Sequence, residues 1–280
     1  MFGHAMIALD WTSLNLSPTV FPPFHGFALR WYSLAYIGGI LGGWWLLGRM
    51  VASWGAPMSQ ADVDAFITWV TIGIILGGRI GYVVFYDFSR FAADPLAILR
   101  LWEGGMSFHG GVIGSVIAIF FFARANGLDW LRIADYVACV EPTGQFLGLL
   151  ANFVNGELWG RVTGSEWGMI FPDGGPLPRH PSQLYEAAIE GLFLFAVMTW
   201  LFWRTRARAY PGLLGGAFVF GFGTLRFFIE FFREPDRQVG FLTLGLTMGQ
   251  WLCVPMVVLG LLLMLASRRR TAVGTAVGAA

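Results

Sequence analysis

Residues 148–160 read G-L-L-A-N-F-V-N-G-E-L-W-G, an apolar run that gives way at once to amides, a carboxylate and glycines. With the residues back to about 132, the run reaches the ~20 apolar residues that a helix needs to cross the hydrocarbon of a bilayer. The chain around it has 280 residues, 56% of them hydrophobic and 12% charged, with a mean hydropathy of +0.63. A water-soluble chain carries roughly twice that charged fraction. The bilayer is therefore the solvent for most of this one.

Six further stretches qualify, which predicts an all-α integral membrane protein of seven transmembrane helices, a single polytopic membrane domain over 1–280. The spans lie near 28–48, 64–86, 106–123, 132–151, 184–203, 212–232 and 248–267. The third is short and glycine-rich, and the fourth carries Asp135 and Glu141. Arginine sets the orientation, because loops that stay in the cytoplasm carry the basic excess. Arg49, Arg124, Arg132, Arg204, Arg206, Arg208 and Arg268–Arg270 lie on one side, whereas the opposite loops mix signs, as with Asp87, Arg90, Asp94, Arg100 and Glu103, or Glu234, Asp236 and Arg237. The amino terminus is expected outside (periplasmic in a cell with an outer membrane) and the carboxyl terminus in the cytoplasm. Residues 152–183, rich in Gly, Pro and Trp, are expected to form a small extracytoplasmic head, with Trp159 and Trp167 at headgroup level.

Other classes are disfavoured. All eighteen basic residues are arginine and the net charge is +1, so no polybasic tract suits nucleic acid. Cys139 and Cys253 stand alone in apolar runs and form no metal or redox motif. The amino-terminal ten residues lack the features of a signal peptide. No repeat of 20–50 residues is evident. The tail T-A-V-G-T-A-V-G-A-A is low-complexity and expected to be disordered.

An ionisable side chain at membrane depth costs roughly 2.5–3.5 kcal/mol, so each needs a partner or a task. Arg79, His109, Glu157, Glu186, Glu190, Arg226, Glu230 and Arg233 all fall toward the outer ends of spans, at one depth. Arg226 and Glu230 are spaced i,i+4 and Glu230 and Arg233 i,i+3, so the three share a helix face. They are either a self-neutralised structural ladder or an anion site in which Glu230 fixes guanidiniums that keep donors for phosphate. Glu186 and Glu190 share a face and call for Arg partners. His109 precedes Gly110 and Gly111, whose N–H groups can approach a ligand closely; the imidazole is either a helix-end hydrogen-bond partner or a general base. Asn152 and Asn155 either terminate the fourth span or present amides, with Glu157, to a polar head. Tyr32 fits an interfacial belt as well as a site.

Taken together, these blocks resemble the prolipoprotein diacylglyceryl transferase family. Residues 148–160 are similar to its signature, G-R-x-[GA]-N-F-x-N-x-E-x-x-G. R-W-Y at 30–32, G-G-R-I-G-Y-V-V-F-Y at 77–86, G-G-M-S-F-H-G-G at 104–111, H-P-S-Q-L-Y-E at 180–186 and R-F-F-I-E-F-F-R-E-P-D at 226–236 follow in family order. The resemblance implies a bacterial inner-membrane enzyme that moves the diacylglyceryl group of phosphatidylglycerol to the lipobox cysteine thiol of a prolipoprotein signal peptide, forming a thioether and releasing glycerol phosphate. It implies no metal or organic cofactor; its partners are these substrates and membrane lipids, with no nucleic acid. Carried over by position, His109 matches the family's proton acceptor, Arg226 its late arginine, Tyr32 its early tyrosine and Glu157 its signature carboxylate, the expected catalytic set. Asn152, Asn155, Gly110, Gly160, Arg79, Glu230 and Arg233 make up the expected substrate-binding set.

Two positions depart from the pattern. Leu149 stands where the signature has arginine, and Phe222 stands in G-F-G where the family shows tyrosine. Leucine offers phosphate no donor, so weakened activity is expected, with Arg79 the nearest candidate to compensate. These departures keep open a binding-only relative that holds phosphatidylglycerol or prolipoprotein without reaction. A lipid or anion transporter fits less well, since neither inverted repeats nor broken mid-membrane helices are apparent.

Overall fold

The computed structural model describes residues 9–21, 28–235, 240–270 and 272. The first eight residues, the mixed-charge pair Asp236 and Arg237, and the low-complexity tail apart from Ala272 lie outside the described residues. The helices are α1 (Trp31–Val51), α2 (Gln60–Phe85), α3 (Phe88–Ala93), α4 (Phe108–Ala125), α5 (Trp130–Asn155), α6 (Ser182–Glu186), α7 (Leu194–Arg204), α8 (Leu213–Ile229) and α9 (Met248–Ser267). A π-helical turn, Ala187–Phe193, joins α6 and α7 into one 23-residue helix. Six helices are long and apolar enough to cross a membrane: α1, α2, α4, α5, the joined Ser182–Arg204 helix and α9. α8 is apolar but has only 17 residues. The stretch read as one span to 232 instead ends in a turn, where Phe232 N–H bonds the Ile229 carbonyl and Arg233 enters a β-bridge.

The caps explain where several helices begin. α2 starts earlier than apolarity alone suggests because Ser59 and Asp62 form a capping box. Thr247 and Gln250 do the same for α9. α5 runs through Asn155, so Asn152 and Asn155 are helical residues and not part of the following loop. It closes with a Schellman motif: Gly156, at φ +69°, donates to Phe153 O, and Glu157 N–H donates to Asn152 O.

The helices group into two compact units, residues 1–46 with 135–280, and residues 47–134. In the second, α2 and α4 pack glycine against glycine. A Cβ added at Gly77 or Gly114 would fall inside the van der Waals radius of a backbone carbonyl on the facing helix. Small residues that admit close backbone approach are how helices associate in lipid, where burying apolar surface gives no gain. The glycine content that made the third span look weak is its packing surface.

In the first unit α8 and α9 meet in the same way, with Gly260 set against the backbone of Phe220. Asp135, buried within α5, accepts N–H bonds from Gly212 at 2.7 Å and Gly215 at 2.6 Å. Its carboxylate thus caps the start of α8, whose own N-cap, Gly212, has no side chain. The segment between α5 and α6 folds on itself around Trp11, Met169 and Phe171, with strand β2 (Met169–Ile170) parallel to β1 (Leu9–Asp10). Trp159, expected at the lipid headgroups, packs against this small core and lies under the Arg179 guanidinium at 4.1 Å. Trp167 is exposed.

Candidate active site

The late arginine block closes on the joined helix in the first unit. Arg226 Nη1 donates to Glu186 Oε2 at 2.6 Å and stands 3.5 Å from Glu190; its Nη2 lies 3.4 Å from Glu230. Arg233 Nη1 reaches both Glu186 oxygens at 3.1 Å, and its Nε lies 3.7 Å from Glu230. The ladder read from spacing is therefore present, and Glu186 and Glu190 are its cross-helix partners. Both of those glutamates are almost fully buried, whereas the Arg226 side chain is about one-fifth exposed.

Several backbone features make the cluster possible. Gly191, in the π-helical turn, lets that turn meet α5; a Cβ there would lie 2.7 Å from Phe146 Cβ. π-turns inside α-helices recur at functional sites, and this one carries Glu190. Gln145 Nε2 donates to Glu190 Oε2 at 3.4 Å. Gly249 leaves room for Glu230, whose Oε1 would stand 2.6 Å from a Cβ at that position. Thr247 Oγ1 donates to Glu230 Oε1 at 3.0 Å while accepting the Gln250 N–H, so the α9 cap doubles as a prop for the cluster. Arg161 donates to the carbonyls of Arg233, at 2.7 Å, and Glu230, at 3.1 Å.

The charge count is uneven. Glu186, Glu190 and Glu230 give three carboxylates around the two guanidiniums of Arg226 and Arg233. Glu190 Oε1 and Glu230 Oε2 accept no hydrogen bond from a described residue. On the cation side, Arg226 Nε and Arg233 Nη2 donate to no described acceptor. Within the described residues the cluster thus has N–H groups to offer.

The signature residues gather in the same unit. Asn155 Nδ2 donates to Glu157 Oε1 at 2.9 Å, and Gln183 Nε2 to the Glu157 carbonyl at 2.6 Å. Tyr32, near the start of α1, contacts Tyr36 at 5.1 Å between ring centroids and is in electrostatic range of Glu157. Asn152 is half-buried. Gly160 donates to His180 O at 2.8 Å and bridges Arg233, threading so closely past Phe232 that a Cβ would overlap that residue's carbonyl. Close backbone approach is the reason glycine stands there. Leu149 is buried in α5, one helical turn beyond Gln145. Phe222 stacks on Phe218 at 5.9 Å.

The remaining expected residues belong to the second unit. His109 is exposed, second in α4, beside Phe108. Gly110 is buried against Gly77 and Gly81, and its N–H goes to the Ser107 cap at 3.2 Å, so here the glycine serves helix packing. Arg79 is buried and faces backbone carbonyls. Among groups outside the helical spans, burial lowers His180 below the ordinary imidazole value; its Nδ1 lies 3.2 Å from the Tyr185 hydroxyl. The Arg100 hydrogen bond holds Asp94 below the usual carboxylate range. Cys139 and Cys253 are both buried.

Sequence reading passed over Arg161, Arg179, Gln145, Gln183 and Thr247. Two of them carried a readable signal: Gln183 stands in the H-P-S-Q-L-Y-E block, and Thr247 opens the T-x-x-Q capping box before an apolar run.

Six membrane-length helices and a buried cluster of arginine and glutamate at helix ends define an integral membrane protein with an ionic cluster among its helices. The family model described as prolipoprotein diacylglyceryl transferase matches residues 18–266. A Rhodospirillum rubrum protein named phosphatidylglycerol–prolipoprotein diacylglyceryl transferase is 53% identical over 273 residues, covering 96% of each chain. Proteins of the same name from Zymomonas mobilis and Erythrobacter litoralis are each 50% identical, covering 94% and 98% of this chain and the same shares of their own. The chain belongs to the prolipoprotein diacylglyceryl transferase family.

Proposed function

We propose that the chain transfers the diacylglyceryl group of phosphatidylglycerol to the lipobox cysteine of a prolipoprotein, at a rate reduced by Leu149. One observation carries the reading: Arg226 and Arg233 are held by three glutamates, while among the described residues Arg226 Nε and Arg233 Nη2 have no acceptor and are available to a phosphate. In the reaction the cysteine thiol loses its proton and its sulfur attacks the glyceryl carbon. A C–S bond forms, the C–O bond to phosphate breaks, and glycerol phosphate leaves with the electron pair. Charge grows on the departing phosphate, where prearranged donors in a water-poor site stabilise it most. His109 takes the thiol proton, since the thiolate is the nucleophile, and returns it to the phosphate or to water. Tyr32, Asn152, Asn155 and Glu157 orient the lipid headgroup beside the arginines, and Gly160 holds the backbone that carries them.

The same reading places the chain in the bacterial inner membrane as one polytopic domain, α8 being the seventh span. The family match runs through both units, which supports one domain. The segment at about 152–183 is the extracytoplasmic head, the amino terminus is periplasmic, and the carboxyl terminus is cytoplasmic beside Arg268, Arg269 and Arg270.

The test is purified protein incubated with phosphatidylglycerol and a lipobox peptide, followed by mass spectrometry. A slow, phosphatidylglycerol-dependent gain of one diacylglyceryl group on the cysteine is expected, and His109→Gln should abolish it while leaving lipid binding intact. Lipid binding with no adduct, in this chain and in Leu149→Arg alike, would favour the binding-only relative. Unchanged turnover in His109→Gln would remove it as the base.

A further inference from the structure

Arg79 is 3% exposed, and its guanidinium uses all of its donors on main chain. Nε donates to Ile98 O at 2.9 Å and Nη1 to the carbonyls of Gly104 and, at 3.0 Å, Gly105; Nη2 donates to Ala97 O at 2.6 Å and Arg100 O at 3.1 Å. A guanidinium has five N–H groups, so none is left for a lipid phosphate, and Arg79 cannot stand in for an arginine at 149. Among the described residues no carboxylate pairs with it. Its charge rests on carbonyl dipoles and the face of Phe91, 5.0 Å away.

Those carbonyls come from one short stretch. Residues 97–105 coil through two 3₁₀ turns, Pro95–Leu99 and Leu101–Glu103, and turn their oxygens toward a single point. Without a cation there, the oxygens would repel one another and stand desolvated. The chain then passes Gly104 and Gly105, at φ +78° and +82°, with Gly105 pressed against the Tyr82 ring. Ser107 N–H bonds Gly78 O at 2.9 Å, next to Arg79 in sequence, and Ser107 caps α4, whose second residue is His109.

We infer that Arg79 is a positioning residue: it clasps the loop Ala97–Gly105 and so fixes the start of α4 that carries His109. This rests on the proposed role of His109. An arginine at this depth is needed because only a planar fork reaches carbonyls on several sides at once; an ammonium has the charge but not the span.

Arg79→Lys tests it, with hydrogen exchange of residues 97–107 and steady-state kinetics measured on the same protein. Faster exchange at Glu103, Gly104 and Ser107 is expected. A displacement of about 1 Å costs roughly 10²-fold in rate, so kcat should fall by about that factor with the KM for phosphatidylglycerol unchanged. Gly105→Ala, whose Cβ would meet Tyr82 at 2.7 Å and Arg79 Nη1 at 3.0 Å, disturbs the clasp from the loop side and should give the same split. It replaces Arg79→Lys if that variant does not fold. A raised KM with loop protection intact would make Arg79 a headgroup ligand and overturn the inference, as would a loosened loop with unchanged kcat. Full turnover in His109→Gln would refute the base assignment and with it the link to His109, while the exchange data would still report on the clasp.

Discussion

Leu149→Arg is the perturbation that bears most directly on the proposed chemistry. Gln145 reaches Glu190, and position 149 follows it by four residues on the same face of α5. An arginine side chain there extends toward the joined helix, where three carboxylates surround two guanidiniums and Glu190 Oε1 accepts no hydrogen bond from a described residue. A third guanidinium would balance that count and bring a third fork to the phosphate. Removing one transition-state donor of this kind typically costs about 2.7–4 kcal/mol, so the substitution should raise kcat by about 10²–10³-fold. The longer side chain fills space now packed around a buried leucine, at a stability cost of about 1–3 kcal/mol if the ion pairs do not offset it. Lipidation of a lipobox peptide in nanodiscs gives the rate, and melting in the same preparation confirms folding. Leu149→Lys, with charge but no fork, should recover part of the rate, and Leu149→Met none. A folded Leu149→Arg with unchanged kcat would refute the reasoning, because the acid excess would then have no bearing on phosphate.

Gly160→Ala should destabilise the protein by at least about 1–3 kcal/mol, because the new Cβ overlaps the Phe232 carbonyl and meets His180 at 2.8 Å; thermal melting checks this. Asp135→Ala removes two N–H acceptors from the start of α8 and should cost about 0.5–2 kcal/mol, with Asp135→Asn milder. Burial lowers His180 below its ordinary value of 6.5 in the folded protein, so its contribution is complete above about pH 6.5 and is lost as acid takes the solution down through the folded pKa. Melting temperature should therefore fall over that acid range, and His180→Gln should flatten the slope.

The helices were legible because lipid demands long apolar segments, and the Arg226–Glu230–Arg233 face because helical spacing is local. Even the need of Glu186 and Glu190 for arginine partners followed from charge at membrane depth. What escaped depends on distant contacts. Asp135 looked like a flaw in a span until α8 supplied N–H groups to it, and Gly110 looked like a ligand approach until α2 filled the space. Asn152 and Asn155 read equally as amides that end the fourth span or as amides offered to a polar head, yet both lie inside α5 and the Schellman glycine at 156 sets its end. The π-helical turn changes register without changing composition, so no pattern of residues announced it.

Thr247 gives the ion cluster a mechanical side. One hydroxyl both fastens the first turn of α9 and steadies Glu230, so tilting that helix and loosening the carboxylate are a single event. Thr247→Val would therefore remove the side-chain cap of one helix and a hydrogen bond to the carboxylate of another in a single substitution.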